Sequence, residues 1–135
     1  MSYLEWTDKL SVGVHEIDDQ HRSLIGLINN FYDAIQHERA NQETALTLEK
    51  LAAYAVFHFQ TEENYMNKFN YPGYLPHKLA HEEFTKKITG FQQDFLEKKH
   101  VEPLALIAFL NVWIVNHIET VDKQYSETFV KNGLT

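Results

Sequence analysis

The sequence predicts an all-α fold, an antiparallel up-down-up-down four-helix bundle with an irregular N-terminal arm. Three observations carry this. Five glycines and three prolines in the whole chain leave little punctuation, and what there is falls between periodic stretches. Within those stretches apolar side chains recur at three- and four-residue steps, as in helices that turn one face to a core. The connections are short, and amphipathic helices so joined pack most economically as neighbouring antiparallel pairs.

Taken in order, the first helix has Asp18 of "EIDDQH" as its expected N-cap, then His21, Leu24, Ile25, Ile28, Tyr32 and Ile35 on one stripe, until the polar "QHERANQE" ends it. The second carries Leu48, Leu51, Ala52, Ala55, Phe59 and Met66, and is expected to stop at "NYPG", where Pro72 and Gly73 continue a helix only at a cost. The third begins near Pro76 and reads His77, His81, Phe84, Ile88, Phe91 and Phe95 in alternating steps of four and three. Pro103 starts the fourth, with Leu106, Phe109, Leu110, Trp113, His117, Val121 and Tyr125 as its stripe.

Composition narrows the function classes. With 44% apolar and 23% charged residues the chain has the balance of a folded domain, expected to span 1–135 as one unit. A net charge of −7 argues against nucleic acid as a partner, because phosphate backbones are bound by neutralising Lys and Arg. The absence of cysteine excludes disulfides, thiolate metal sites and cysteine nucleophiles. "MSYLEWTDKL" shows no secretory pattern, and the apolar run from Leu104 to Val115 is too short to span a bilayer before it meets "NHIE". A cytoplasmic protein with no membrane span is expected. No second apolar face stands out, so a monomer is expected as well.

The stretch "YAVFHFQTEENYM" puts His58 and Glu62 four residues apart, on one face of a helix, within an otherwise apolar stripe. A buried carboxylate there needs a hydrogen-bonded cation or a metal. Of eight histidines, five fall on inward stripes: His21, His58, His77, His81 and His117. The others, His15, His37 and His100, lie in the arm or among charges near helix ends, where solvation suffices. Any one inward histidine is explained as a core imidazole bonded to a neighbour. Five of them across four helices, with a glutamate among them, would leave several polar groups unmet unless they share a partner. His77 and His81 are spaced to chelate one ion from one helical face, but Lys78 stands where a zinc protease needs its glutamate.

Nitrogen and carboxylate donors without sulfur suit iron, manganese or zinc, and five histidines exceed one tetrahedral site. A second acid would fit a bridged pair of ions. Asp122 follows His117 by five residues, roughly 140° around an ideal helix, so a local π-type widening of the turn is needed to align them. Alone, Asp122 reads as a solvated acid beside Lys123; Glu119 lies off the His117 stripe. The single E-x-x-H, Glu97 to His100, sits among lysines and reads as helix surface.

At this point the chain resembles the hemerythrin family, specifically its single-domain bacterial members. The resemblance runs from Trp6 and "VGVHEIDDQH" through "HFQTEE" and "HKLAH" to "WIVNHIETVDKQY", and the five-residue step from His117 to Asp122 belongs to the family pattern. It implies two iron ions joined by an oxo or hydroxo bridge. His77, His81 and His117 would hold one, His21 and His58 the other, with Glu62 and Asp122 bridging and an open position for dioxygen on the two-histidine iron.

The function so implied is reversible dioxygen binding for storage, delivery or sensing, rather than an enzyme. An oxygen-consuming enzyme or a signalling protein would be its partner. Taken up as hydroperoxide together with the bridging proton, dioxygen would leave the net charge of the centre unchanged, which suits a dry pocket. Oxygen-activating bundles of the ferritin-like kind use more carboxylates and paired E-x-x-H motifs. Phe59, Trp113, Ile114 and Ile118 flank the ligand positions; singly they read as core packing, and the resemblance implies that they also wall an apolar oxygen pocket. The alternative is a di-iron redox enzyme or sensor acting on peroxide, nitric oxide or ferrous iron.

Overall fold

The computed structural model, which describes residues 3–135, arranges four helical runs around two apolar clusters separated by a polar layer. After a short 3₁₀ turn at Asp8–Leu10 come α1 (His15–Gln36), α2 (Ala40–Lys68), α3 (Tyr74–Leu96) and α4 (Pro103–Asn116). The last continues without a break through a π-helical turn, His117–Asp122, into α5 (Lys123–Lys131). α2 packs on both α1 and α3, and α1 packs on α4, so the bundle is the up-and-down one expected, with no strand among the described residues.

The expected stripes supply the core, with shifts at their ends. Leu24, Ile25 and Ile28 are buried, but beyond them Phe31 and Ala34 go deepest while Tyr32 and Ile35 are half-buried. In α3 the seam closes at Ile88; Phe91 is half-buried and Phe95 is exposed, so the expected stripe runs one turn too far. Leu106, Leu110 and Ile114 of α4 are buried, whereas Leu104 and Val112 face outward. The continuous run Pro103–Lys131 has the length and composition of a membrane-crossing helix; here its inner face is occupied by the bundle.

The first two helices end at the expected segments, "QHERANQE" and "NYPG", but neither proline nor glycine ends them. α2 stops at Lys68, before Pro72 and Gly73 are reached, and α3 starts at Tyr74 with Pro76 inside its first turn. The stop is a left-handed residue two positions past the last helical one. Glu38, Asn70 and Lys98 have φ of 57°, 52° and 59°, and Gly133 repeats the device after α5 at 98°. In each case the next amide donates back to a carbonyl of the last turn: Arg39 to Ala34 at 2.7 Å, Tyr71 to Met66 at 2.8 Å, Lys99 to Asp94 at 2.9 Å and Leu134 to Phe129 at 3.1 Å. These are Schellman closures, in which orphan carbonyls are satisfied by reversing the backbone. Three of the four use a residue other than glycine, so no sequence punctuation marks them.

Asp18 is not the N-cap either. α1 begins three residues earlier, at His15, and Asp18 is buried in its first turn. Its carboxylate accepts from the Val12 amide at 2.8 Å and from the Ser11 hydroxyl at 2.6 Å, so it holds the arm against the helix. Farther out, Asn29 exchanges two 2.9 Å bonds with the Leu4 backbone, and Arg22 lies over the Trp6 ring at 4.3 Å. Apart from its 3₁₀ turn, the arm is thus held by side chains of α1.

Two outcomes follow for stability. Lys98→Gly relieves a left-handed strain and should raise unfolding stability by about 0.5–1 kcal/mol in a urea titration. Asp18→Ala leaves the Val12 amide unsatisfied and should lower stability by about 1.5–3 kcal/mol, with faster hydrogen exchange at Val12 and Gly13 than elsewhere in the bundle.

Candidate metal centre

The polar layer is built by register. In α1, Ile17 belongs to one apolar cluster and Leu24 to the other, with His21 between them. In α2 the order is Phe59, Glu62, Met66, and at the last run it is Ile118, Asp122, Tyr125. Each helix therefore interrupts its apolar stripe by about one turn at the same height. α3 contributes His77 and His81 there. The π turn supplies the remaining pair: widening to an i→i+5 pattern brings His117 and Asp122 onto one face, with the imidazole Nε2 at 2.9 Å from Asp122 Oδ1. Glu119 is exposed, as are His15, His37, Glu97 and His100.

All seven sequence-identified residues meet at this layer, and all are buried. Glu62 Oε1 lies 3.3 Å from His58 Nε2 and 3.1 Å from His81 Nε2. Asp122 Oδ1 lies 2.8 Å from His77 Nε2, and Oδ2 lies 3.0 Å from His21 Nε2. The donor atoms fall into two groups, each clustered within 4.8 Å: Glu62, His77, His81, His117 and Asp122 in one; His21, His58, Glu62 and Asp122 in the other. Both carboxylates belong to both groups.

Packing around the layer leaves the rings few alternatives. Phe59 stacks on His81 with centroids 3.8 Å apart and planes 4° from parallel, and Trp113 stacks on His117 at 4.3 Å and 11°. Tyr54 covers His58 and Tyr125 covers His77. Ile114 and Ile118 are buried in the main apolar cluster beside Phe59, with half-buried Trp113 against it. On the far side of two rings stand acceptors: Gln20 Oε1 at 2.5 Å from His58 Nδ1, and Glu63 Oε2 at 2.8 Å from His81 Nδ1. Tyr54 donates to the Gln20 carbonyl and Tyr125 donates to Glu62 Oε2.

Gln20, Tyr54, Glu63 and Tyr125 escaped the sequence reading as functional residues. Gln20 and Glu63 each neighbour a candidate ligand in the chain, but adjacency says nothing of whether a side chain folds back behind a ring. Tyr125 was legible only as an inward aromatic.

A cation fits these donors. Glu62 Oε1, both Asp122 oxygens and the Nε2 atoms of His77, His81 and His117 are buried, and although several lie 2.8–3.1 Å apart none is aligned as a hydrogen bond. Orphaned polar atoms in a dry core are costly, and here they converge rather than pair. Nitrogen and carboxylate donors in this ratio suit borderline divalent ions.

Without a cation the charges adjust to one another. Burial and the Asp122 charge push Glu62 upward, but His58 and His81 outweigh them and hold it at about 2. Burial opposes ionised Asp122 too, yet His117, His21 and His77 keep it well below the carboxylate range. Burial presses His81 down, and the carboxylates of Glu62 and Glu63 more than reverse this, to about 9; His21 is raised against burial by Asp122. For His58 burial prevails and holds it at about 4, despite Glu62. Burial, reinforced by the Glu62 and Asp122 charges, pushes the Tyr125 phenol far up, so it stays a proton donor. A divalent ion would take the place of the imidazole protons that balance the two acids.

Comparison with known proteins agrees with this geometry. Residues 12–128 match the family model described as the hemerythrin HHE cation binding domain. A bacteriohemerythrin of Clostridium acetobutylicum is 30% identical over 126 residues, covering 89% of this chain and 96% of that protein. A hemerythrin-like protein of Naegleria gruberi is 34% identical over 124 residues, covering 92% of each. The crystal structure of a wild-type hemerythrin superposes with a TM-score of 0.88 at 28% identity, covering 95% of this chain and 98% of that one.

The charge pattern fixes a pH profile for the metal-free chain. His58 sits below its ordinary 6.5, so as pH falls from 6.5 toward about 4 the unfolded chain gains a proton that the folded chain refuses, and stability drops. His81 sits above, so its contribution is complete below 6.5 and disappears as pH rises through about 9. The urea midpoint of the metal-free chain is expected to peak near neutrality and decline on both sides. A midpoint that is flat across this window would contradict the assignment.

Proposed function

This chain belongs to the hemerythrin family, and we propose that it is a di-iron protein that binds dioxygen reversibly, for storage, delivery or sensing, rather than an enzyme. The observation that carries the reading is the pair of donor groups sharing both Glu62 and Asp122. His77, His81 and His117 would hold one iron, His21 and His58 the other, and the two carboxylates would reach both. When bound, the reduced iron pair supplies the electrons that dioxygen takes up. The whole chain, 1–135, is read as one such domain; a cytoplasmic location and a monomeric state belong to the same proposal.

The chain's own residues favour capture and release over turnover. The stacked rings hold four of the five imidazoles, His58, His77, His81 and His117, against rotation, so those donors are oriented before any ion arrives. Phe59, Ile114 and Ile118, with Trp113 at the edge, wall the layer with apolar atoms, which keeps out the water and stray protons that would displace a bound gas. Tyr125 keeps its proton at the hydroxyl, bonded to Glu62 Oε2, and fixes that carboxylate in place. The two buried acids, Glu62 and Asp122, are fewer than the carboxylate-rich sites of oxygen-activating bundles provide, so strongly oxidised metal is less well supported.

The test is an optical titration of the anaerobically reduced, iron-loaded protein with dioxygen, followed by removal of the gas. A visible band that grows with dioxygen and vanishes under inert gas is the expected result. Direct, irreversible conversion to a ferric spectrum would instead assign the chain to redox enzymology.

A further inference from the structure

The five converging imidazoles are not supported alike from behind. Two of them have a side-chain acceptor at the far nitrogen, and the acceptors differ in charge. His81 Nδ1 faces the carboxylate of Glu63 at 2.8 Å, while His58 Nδ1 faces the neutral amide oxygen of Gln20 at 2.5 Å. His21 Nδ1 and His77 Nδ1 are buried without partners. Among the described residues, Glu63 is the one carboxylate hydrogen-bonded behind a ring of the layer.

We propose that Glu63 is a positioning residue that makes the two metal positions unequal, so that the position held by His77, His81 and His117 fills first and empties last. The proposal rests on the two-metal reading above. A carboxylate behind an imidazole fixes the tautomer with Nε2 free and raises the electron density that Nε2 offers; an amide fixes the tautomer without adding charge. Glu63 follows Glu62 directly on α2, so one backbone segment aims one carboxylate into the layer and the next behind the ring of a neighbouring helix. The two supports also differ in exposure. The Glu63 side chain is 20% exposed, in a groove between α2 and α3 that Asn64, Lys78 and Glu82 also line, whereas Gln20 is buried, with Tyr54 donating to its main-chain carbonyl. Three imidazoles against two would already favour the same position, so the contribution of Glu63 has to be read from variants.

The full-length chain is loaded with cobalt(II), which needs no dioxygen chemistry to be seen, and challenged with increasing chelator. Cobalt retained per chain is read by atomic emission and the visible d–d bands are followed. The native chain is expected to hold two ions and release them in two steps. Glu63→Gln should weaken the later step by about 10- to 100-fold and shift its d–d band, leaving the earlier step in place. Gln20→Glu puts a carboxylate behind His58 and should tighten the earlier step by a similar factor, a gain that a folding defect cannot produce. Release by Glu63→Gln that superposes on the native curve overturns the proposal, as does an equal loss of both steps with no gain in Gln20→Glu. If Glu63→Gln does not fold, Gln20→Glu decides alone: a tighter earlier step supports the proposal and an unchanged one overturns it. A native chain that holds fewer than two ions fails the two-metal reading and this proposal with it.

Discussion

Two fully buried carboxylates, Glu62 and Asp122, impose the constraint from which the rest of the structure follows. An anion in an apolar core is tolerated only when something positive meets it there, and two of them side by side double the demand. The bundle answers with five imidazoles from four helical runs, all aimed at the same two groups. In the absence of an ion, the raised His81 and His21 and the lowered Glu62 and Asp122 record that mutual compensation. Protons on rings are a makeshift; a divalent cation satisfies acids and nitrogens together, which ties metal retention to the stability of the fold.

Placing such a layer across a helical bundle has a structural cost, because it cuts the apolar core in two. The larger cluster holds Phe31, Leu51, Phe84 and Leu110; the smaller gathers Ile17, Met66, Tyr125 and Phe129 with the arm residues Val12 and Val14. The small cluster would be open at the bundle end without the arm. That explains why Asp18 is turned toward the arm backbone instead of capping its helix, and why the arm is tied at Ser11 and Val12, next to the layer. The π turn serves the same end. One extra residue in the helix lets His117 and Asp122 point together while Ile118 and Tyr125 still reach their respective clusters.

Around the layer, charge and shape are divided between different residues. Aromatic faces on His58, His77, His81 and His117 fix ring planes without adding charge. Hydrogen bonds from behind set electron density, and the hydroxyl of Tyr125 governs one carboxylate oxygen of Glu62. An apolar wall on one side and a phenol on the other give the layer a dry face and a protonated one. The proposed preference for reversible gas binding draws on that separation: the dry face shields what is bound, and the protonated one holds a bridging acid still.

By itself the sequence determined the helical fold, the four stripes and six of the seven residues that meet at the polar layer, because periodicity at three and four residues is a local property and polar residues inside an apolar stripe stand out against it; Asp122 joined them only through the family resemblance. It also raised the need for a π turn, since His117 and Asp122 misalign on an ideal helix. The structure alone showed how the helices stop, because Glu38, Asn70 and Lys98 reverse the backbone without a glycine to announce it. It alone moved Asp18 from cap to staple and left Phe95 partly exposed at the C-terminal end of α3. The roles of Gln20, Glu63 and Tyr125 also arise only in three dimensions. Each acts on a ring or carboxylate of another helix, through a contact whose length and direction no spacing along one chain segment encodes.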